Sequence, residues 1–429
     1  MTLGYTGPAA SVAKWQETGE SQPAMFHWRE SCRLCGGPLR RVLDLGPSAL
    51  ANEYWPRELV ASGAKQDEFP IILGQCVSCE HVQLMTVVDP SRLYSNYSYT
   101  SGVSKAFREH LEAFATELYN EGHRTIVDIG SNDGTLLHFC RNLGMRGIGV
   151  DPARNLAAEA SARGDLTIPT FFNATVALQI RDILGGPPDV VTCLNAFAHS
   201  DSLGEIADGV RELTGHHGEF IFEVAYLLDI LEKNELGSLY VEHASHWAVY
   251  PAIKFFERHG LHIGRVKRIP SQGGSIRGYV SSTKERYDWC FGRLNVEKLA
   301  VAESKVNEML DAWPSSIASE RESVHAMLSP YLAKFKEPGT LAVYGAPARL
   351  TVWAHAMGLQ YNDVSCVFDD EPRKVGKSTP GLHWPIVSSE ELMSRNPPAI
   401  LIASWQYADD IKARFPDYKG HWLVPPRNQ

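Results

Sequence analysis

Four thiols stand in two tight turns, Cys32-Arg33-Leu34-Cys35 and Cys76-Val77-Ser78-Cys79. Two Cys-x-x-Cys knuckles supply the ligand number and the local turns that tetrahedral zinc requires. With all four positions filled by cysteine, the site is expected to be closed and structural. His81, two residues past Cys79, is the nearby side chain that could replace a ligand.

A second pattern follows at Val127-Asp128-Ile129-Gly130-Ser131-Asn132-Asp133-Gly134-Thr135. It reads as a strand, a glycine-rich turn and a helix. Glycines there let the backbone turn tightly and approach a ligand at the helix N-terminus. The spacing of Gly130 and Gly134 is not the Gly-x-Gly-x-x-Gly of dinucleotide sites. Asp128, an acid at the strand end, suits a cationic ligand better than a pyrophosphate. Asp151 ends the next strand, where a carboxylate can accept hydrogen bonds from ribose hydroxyls. S-adenosylmethionine, with its ammonium, sulfonium and ribose, fits this pattern better than NAD, and Asp128, Gly130, Asn132, Asp133, Gly134, Asp151 and, after a later strand, Asn195 are the candidates to hold it.

Ionisable groups then gather after two further strands. Asn195-Ala196-Phe197-Ala198-His199 follows one, and Tyr240-Val241-Glu242-His243-Ala244-Ser245-His246 lies beyond the other. Ligands of open parallel sheets bind outside the carboxyl ends of the strands, so both clusters are placed for chemistry. A histidine is the natural general base near neutral pH, with a neighbouring Glu or Tyr to orient it or to bind substrate hydroxyls.

The elements that must carry these groups alternate between strand and helix. Apolar residues at helical spacing predict a helix over Lys105 to Leu118 (Phe107, Leu111, Phe114, Ala115, Leu118). Short apolar strands are expected at Thr125–Asp128, Gly147–Asp151, Asp189–Leu194 and Gly218–Val224. Such continuous apolar strands imply a doubly wound parallel sheet covered on both faces. A polar helical connector is expected from about Val296 to Lys334. A second, smaller Rossmann-like pattern follows it, with strands at Thr340–Ala346, Val364–Asp369 and Ala399–Ser404. The predicted organisation is α/β: a loose tail (1–23), a zinc-binding module (24–95), a cofactor-binding α/β core (96–295) and a connector with the Rossmann-like domain (296–429).

Composition narrows the class. The 429 residues exceed one ordinary core, while 44% hydrophobic and 21% charged residues describe a globular chain. A net charge of −9 disfavours a broad phosphate-backbone footprint, so nucleic acid is not the expected partner. No stretch is long and apolar enough to span a bilayer, and no membrane partner is expected. The start lacks a signal-peptide pattern. The eight cysteines are therefore read as reduced, four as ligands and Cys140, Cys193, Cys290 and Cys366 as buried thiols, and a cytoplasmic monomer or small oligomer is expected.

From about residue 32 to 427 the chain resembles the sugar C-methyltransferases that alkylate a ring carbon of TDP-4-keto-deoxysugars. The resemblance rests on the cysteine pairs; Tyr97-Ser98-Tyr99-Thr100-Ser101-Gly102; the Asp128–Gly134 turn; Asn195–His199; Tyr240–His243; Gly273-Gly274-Ser275-Ile276-Arg277; Tyr344-Gly345-Ala346-Pro347-Ala348-Arg349; and Lys374–Gly381. It implies a class I methyltransferase sheet, S-adenosylmethionine and structural zinc as cofactors, and a small nucleotide-linked keto sugar as substrate. It implies His243 as the base that removes a proton beside the ketone, with Tyr240 and Glu242 positioning it or the sugar. Asn195 and His199 would bond the sugar or the enolate oxygen, and Tyr99 would reach the sugar. Arg277, Gly345, Arg349 and Lys374 would lie toward the substrate, the last three near its nucleotide. The chain departs from the family pattern at Val241, where a histidine is usual, at His246, usually aromatic, and at Arg349, usually lysine. A different, non-sugar keto substrate is the alternative these departures raise.

Overall fold

The computed structural model describes residues 25–95, 97, 99–283, 291–332 and 339–425. The predicted loose tail, Cys290 and the end of the expected connector at Lys334 lie outside the described residues. The expected helix is α1 (Lys105–Asn120), capped by the Ser104 side chain, and it buries the five apolar residues that its spacing singles out.

Seven strands form the central sheet: β1 (Thr125–Ile129), β2 (Arg146–Val150), β3 (Thr167–Ile168), β4 (Val190–Leu194), β5 (Glu219–Ala225), β6 (His262–Ile269) and β7 (Ser275–Ser281). Their order is β3-β2-β1-β4-β5-β7-β6. The first five are mutually parallel, and β7 runs antiparallel to β5 and β6. The chain leaves β1 toward β2 on one side and returns to β4 on the other, which opens a crevice at the carboxyl edge between β1 and β4. α2 (Thr135–Asn142) starts at Gly134 directly after that edge. The four expected strands are present within a residue or two. The sequence does not announce β6 and β7, because Arg265, Lys267 and Arg268 interrupt the apolar run and the partner strand lies across a hairpin.

The cysteine module contributes a separate antiparallel sheet, Leu39–Ala49 with Glu68–Cys76 and Val82–Leu84. Its outer strand pairs with Ser245–His246 from the core, in the register Ser245 to Gln83 and His246 to Val82. The segment carrying the second ionisable cluster is thus an edge strand of the metal module.

The connector is not a polar rod. A helix over Phe291–Ala302 ends at a turn, and α3 (Val306–Leu328) follows. Val306, Leu310, Trp313, Ile317, Val324 and Leu328 form a buried stripe along it. The break falls at Glu303, whose buried carboxylate accepts the Val249 and Tyr250 N–H groups at 2.7 and 3.0 Å and the Tyr226 hydroxyl at 2.9 Å. Capping another helix's orphan donors outweighs the continuity of its own.

The C-terminal part is a five-stranded parallel sheet of β8 (Leu341–Tyr344), β9 (Val364–Asp369), β10 (Ile386–Ser388), β11 (Ala399–Ile402) and β12 (His421–Leu423), ordered β10-β9-β8-β11-β12. α4 (Ala348–Ala356) leaves β8 through the Gly345 turn. Among the described residues no helix is long and apolar enough to cross a membrane.

Candidate active site and metal-ligating cysteines

A cleft of about 1230 Å³ opens beyond the carboxyl ends of β1, β2, β4 and β5. Residues 50, 52–54, 89–94, 97, 99–101, 103 and 104 of the N-terminal part close one wall, and residues 347–349, 369–374 and 377 of the C-terminal part close another.

The glycine turn shapes its floor. Gly130 has φ +71°, and a Cβ there would meet the Ala196 Cβ at 2.4 Å, so only glycine lets the β1 loop pass under the β4 loop. Asn132 takes φ +52°, and its N–H donates to Asp151 Oδ2 at 2.8 Å. The second oxygen of Asp151 accepts the Ala153 N–H at 2.8 Å. Burial raises the Asp151 carboxyl above its ordinary range. The strap from Tyr99 to Gly102 lies over this loop: Asn132 Nδ2 donates to the Tyr99 carbonyl at 3.1 Å, and Ser101 N–H to Asn132 Oδ1 at 2.9 Å. Gly130, Asn132 and Asp151 line the cleft.

Asp128, Asp133 and Gly134 do not line it. Asp128 is buried opposite Thr192, its register partner on β4, and accepts that hydroxyl at 2.6 Å. Burial pushes its carboxyl up to about 7. Asp133 accepts the Gly102 N–H at 3.0 Å and the Thr135 hydroxyl at 2.7 Å. These three shape the turn from behind, and the strand-end acid expected to face a cation is turned inward.

The ionisable cluster converges as a unit. Asn195, His199, Tyr240, Glu242, His243 and Tyr99 all line the cleft. Asn195 adopts φ +55°, and its buried side-chain nitrogen has no protein partner. Phe197, between Asn195 and His199, fixes the β4 loop by stacking on Trp247 and Phe256 at ring separations of 5.1 and 5.8 Å. The His199 and His243 rings are 5.0 Å apart, and Tyr240 lies 4.0 Å from the His243 ring.

His243 Nδ1 is 2.8 Å from the Ser238 carbonyl oxygen, which can only accept. The proton therefore sits on Nδ1, and Nε2 is left with its lone pair. Burial lowers this imidazole to about 4, so it is neutral at physiological pH. Burial raises Glu242 to about 7. One Glu242 oxygen accepts from Asn52 at 3.4 Å, and the other is buried without a partner. His246 lines the cleft with an unpartnered Nε2, whereas Val241 is buried in the core and does not.

Of the residues assigned to substrate, Arg349 and Lys374 line the cleft. Arg277 does not: it faces Glu223, its register partner on β5, at 2.5 Å, and pairs with Glu117 at 2.8 Å. Gly345 does not line it either, because its turn is covered. Tyr54 donates its hydroxyl to the Ala346 carbonyl at 2.6 Å, and Lys374 reaches the same oxygen at 3.0 Å. Sequence reasoning missed Asn52, Tyr54 and Tyr94, which the N-terminal part sends into the wall. The only hint was their proximity to the cysteine module.

The four cysteine sulfurs lie within 4.8 Å of one another. The closest pairs, Cys35 with Cys76 and Cys32 with Cys79, are 3.4 and 3.6 Å apart. That is too far for a disulfide and close to the roughly 3.8 Å that tetrahedral zinc bonds of about 2.3 Å imply. Leu34, Gly37 and Ser78 aim backbone N–H groups at Cys32, Cys35 and Cys76 sulfur, each at 3.4 Å, as thiolate ligands require. The donor set fits zinc. His81 is not part of it, since its Nε2 meets the Ser245 hydroxyl at 3.1 Å.

Three family models match in tandem along the chain: "Putative zinc binding domain" over residues 32–94, "Methyltransferase domain" over 99–262 and "C-methyltransferase C-terminal domain" over 270–425. The C-methyltransferase NovU of Streptomyces niveus is 29% identical over 405 residues, spanning 92% of this chain and 95% of that one. Among solved structures, magnesium protoporphyrin IX methyltransferase from Synechocystis PCC 6803 is similar at 16% identity and TM-score 0.32, over 42% of this chain and 89% of its own. The PH0226 protein from Pyrococcus horikoshii OT3 is similar at 15% identity and TM-score 0.34, over 44% and 97%. The sheet order and the family models define an S-adenosylmethionine-dependent methyltransferase. More narrowly, the order of a zinc-binding module, a methyltransferase domain and a C-methyltransferase C-terminal domain makes the chain similar to C-methyltransferases such as NovU.

Proposed function

We propose that the chain methylates the carbon beside the ketone of a nucleotide-linked 4-keto-deoxysugar, with His243 as the general base. The observation that carries this reading is the Nδ1 contact to the Ser238 carbonyl, which leaves Nε2 as the acceptor in the cleft. Gly130, Asn132 and Asp151 would hold S-adenosylmethionine, which would supply a sulfonium methyl group to the carbanionic carbon, the S–CH3 bond breaking as the C–CH3 bond forms and S-adenosylhomocysteine leaving.

His243 Nε2 takes the proton from the activated carbon, whose electron pair delocalises onto the ketone oxygen. The Asn195 side-chain amide, buried and without a protein partner, donates to that oxygen, with His199 beside it. A preorganised donor of this kind contributes about 2.7–4 kcal/mol to the transition state. General-base assistance adds about 10²–10⁴ in rate. The open Glu242 oxygen accepts a sugar hydroxyl, while Tyr240 packs on the His243 ring and holds its plane. Arg349 and Lys374 supply positive charge toward the nucleotide end of the cleft.

His243→Ala should abolish turnover and leave S-adenosylmethionine binding intact by calorimetry; full activity would remove the mechanism. His246, a cleft-lining histidine with an open Nε2, favours a second reading in which the acceptor is a keto compound other than a sugar. Labelled methyl transfer to a panel of nucleotide keto sugars and unrelated ketones separates the two.

A further inference from the structure

Arg33 stands between the two thiols of the first knuckle, and its side chain is wholly buried. Its backbone N–H donates to Gln83 Oε1 at 2.9 Å, which fixes where the side chain starts. From there the guanidinium forks. Nη1 donates to the Ala244 carbonyl, Nη2 to the Leu84 carbonyl at 3.0 Å, and Nε to Asp201 Oδ1 at 3.2 Å. Ala244 directly follows His243. Asp201 lies two residues beyond His199 and is also held by Arg29 at 2.7 Å. The Leu84 N–H closes the circuit by donating to the same Ala244 carbonyl at 3.0 Å. One planar cation therefore ties the loop after β4 and the strand after His243 to the cysteine knuckle. The two imidazoles whose rings lie 5.0 Å apart hang from those two segments.

We propose that Arg33 is a positioning residue that transmits the geometry of the cysteine knuckle to the His199–His243 pair, so that the metal module sets the spacing of the catalytic imidazoles. The knuckle suits this task. Its own turn is closed by the Gly36 N–H to the Cys32 carbonyl and the Cys32 N–H to the Gly37 carbonyl, both at 2.8 Å, and four sulfurs converge around it. A guanidinium rather than an ammonium is needed, because three acceptors in different directions require a rigid fork. The inference rests on the reading of His243 as base, where a displacement of about 1 Å costs about 10²-fold in rate.

The test uses the full chain carrying Arg33→Met, Arg33→Lys and, separately, Asp201→Asn. Metal content, S-adenosylmethionine affinity, kcat and KM are measured beside the imidazole resonances of His199 and His243. Arg33→Met is expected to keep its zinc and its cofactor affinity. Its kcat should fall by about 10²-fold with little change in KM, both imidazole signals should move, and added guanidinium ion should restore part of the rate. Arg33→Lys should rescue poorly. Asp201→Asn should move His199 more than His243 and cost less. A zinc-loaded Arg33→Met with wild-type kcat and unmoved imidazole signals overturns the proposal. If Arg33→Met loses metal or fails to fold, Asp201→Asn decides: wild-type kcat with an unmoved His199 signal overturns it. Activity in His243→Ala would remove the base assignment alone, because the imidazole shifts report the tether whatever His243 does in catalysis.

Discussion

The chain builds the same local device twice and uses it in opposite ways. β1 enters the Gly130 turn, β8 enters the Gly345 turn, and both glycines have positive φ, +71° and +89°. In each case the next strand of the unit ends in an acid that takes a loop N–H: Asn132 to Asp151 at 2.8 Å, Ala346 to Asp369 at 2.6 Å. Over the first turn there is open cleft. Over the second, Tyr54 and Lys374 occupy the Ala346 carbonyl, and Trp55–Pro56 pairs with Lys377–Ser378. A strand–glycine–helix junction followed by an acid therefore borders open cleft in one domain and carries a docking contact in the other. What separates them is the side chain that arrives from elsewhere in the chain.

Substituting the two glycines tests this contrast hardest. Gly130→Ala puts a methyl 2.4 Å from the Ala196 Cβ, which cannot move without its loop, and should lower cofactor affinity more than tenfold by calorimetry. Gly345→Ala meets the Ser404 hydroxyl at 2.6 Å, which can rotate away. It should leave cofactor affinity unchanged and cost about 1 kcal/mol in urea unfolding, chiefly from the positive φ. Equal losses of cofactor binding would end the distinction.

The paired acids give the next effect. Asp151→Ala removes a carboxylate that lines the cleft and should weaken the cofactor by about 1.5–3 kcal/mol, the worth of hydrogen bonds to a charged group. Asp369→Ala should weaken it not at all and instead loosen the Ala346 loop against Tyr54, seen as a lower unfolding midpoint.

This contrast also explains what could be read from the sequence. Continuous apolar runs announced β1, β2, β4, β5, β8, β9 and β11, because burial on both faces leaves a local signature. The Cys-x-x-Cys pairs announced the metal set for the same reason: ligand spacing is local. Asn195, His199, Tyr240, Glu242 and His243 could be grouped because each follows a strand of one sheet. Asn52 and Tyr54 could not, since the residues they bond, Glu242 and Ala346, are distant in sequence and no periodicity encodes that contact. Arg277 misled for the complementary reason. Its motif resembles a substrate-binding one, but the β5–β7 register puts it opposite Glu223, and the ion pair keeps it out of the cleft.

A pH profile sharpens the catalytic half of the comparison. With His243 lowered to about 4, the proposed base is already neutral across the working range. Glu242, raised to about 7 by burial, is the cleft-lining carboxyl that changes charge there, while Asp128, also at about 7, lies behind the turn. If its carboxylate accepts a sugar hydroxyl, kcat/KM should rise with pH through about 7 and fall on acidification, tenfold per unit below it. Glu242→Gln should lower the plateau and flatten that limb. A limb that persists unchanged in Glu242→Gln assigns the titration to another group.

The smallest effect belongs to Tyr54→Phe, and it asks whether the second turn is silent by construction or only by obstruction. The substitution keeps the ring, over which Lys374 lies at 5.2 Å, and removes one buried hydrogen bond to the Ala346 carbonyl. Lys374 still reaches that oxygen, so the carbonyl is not orphaned, and the cost should be about 0.5–1.5 kcal/mol in urea unfolding. Cofactor affinity should be unchanged, with binding at one site per chain. A second equivalent of bound S-adenosylmethionine in Tyr54→Phe would show that the β8 turn retains the capacity of the β1 turn. A single equivalent places the difference in the turn itself, where Asp369 and Lys374 already satisfy the backbone groups that a phosphate or ribose would need.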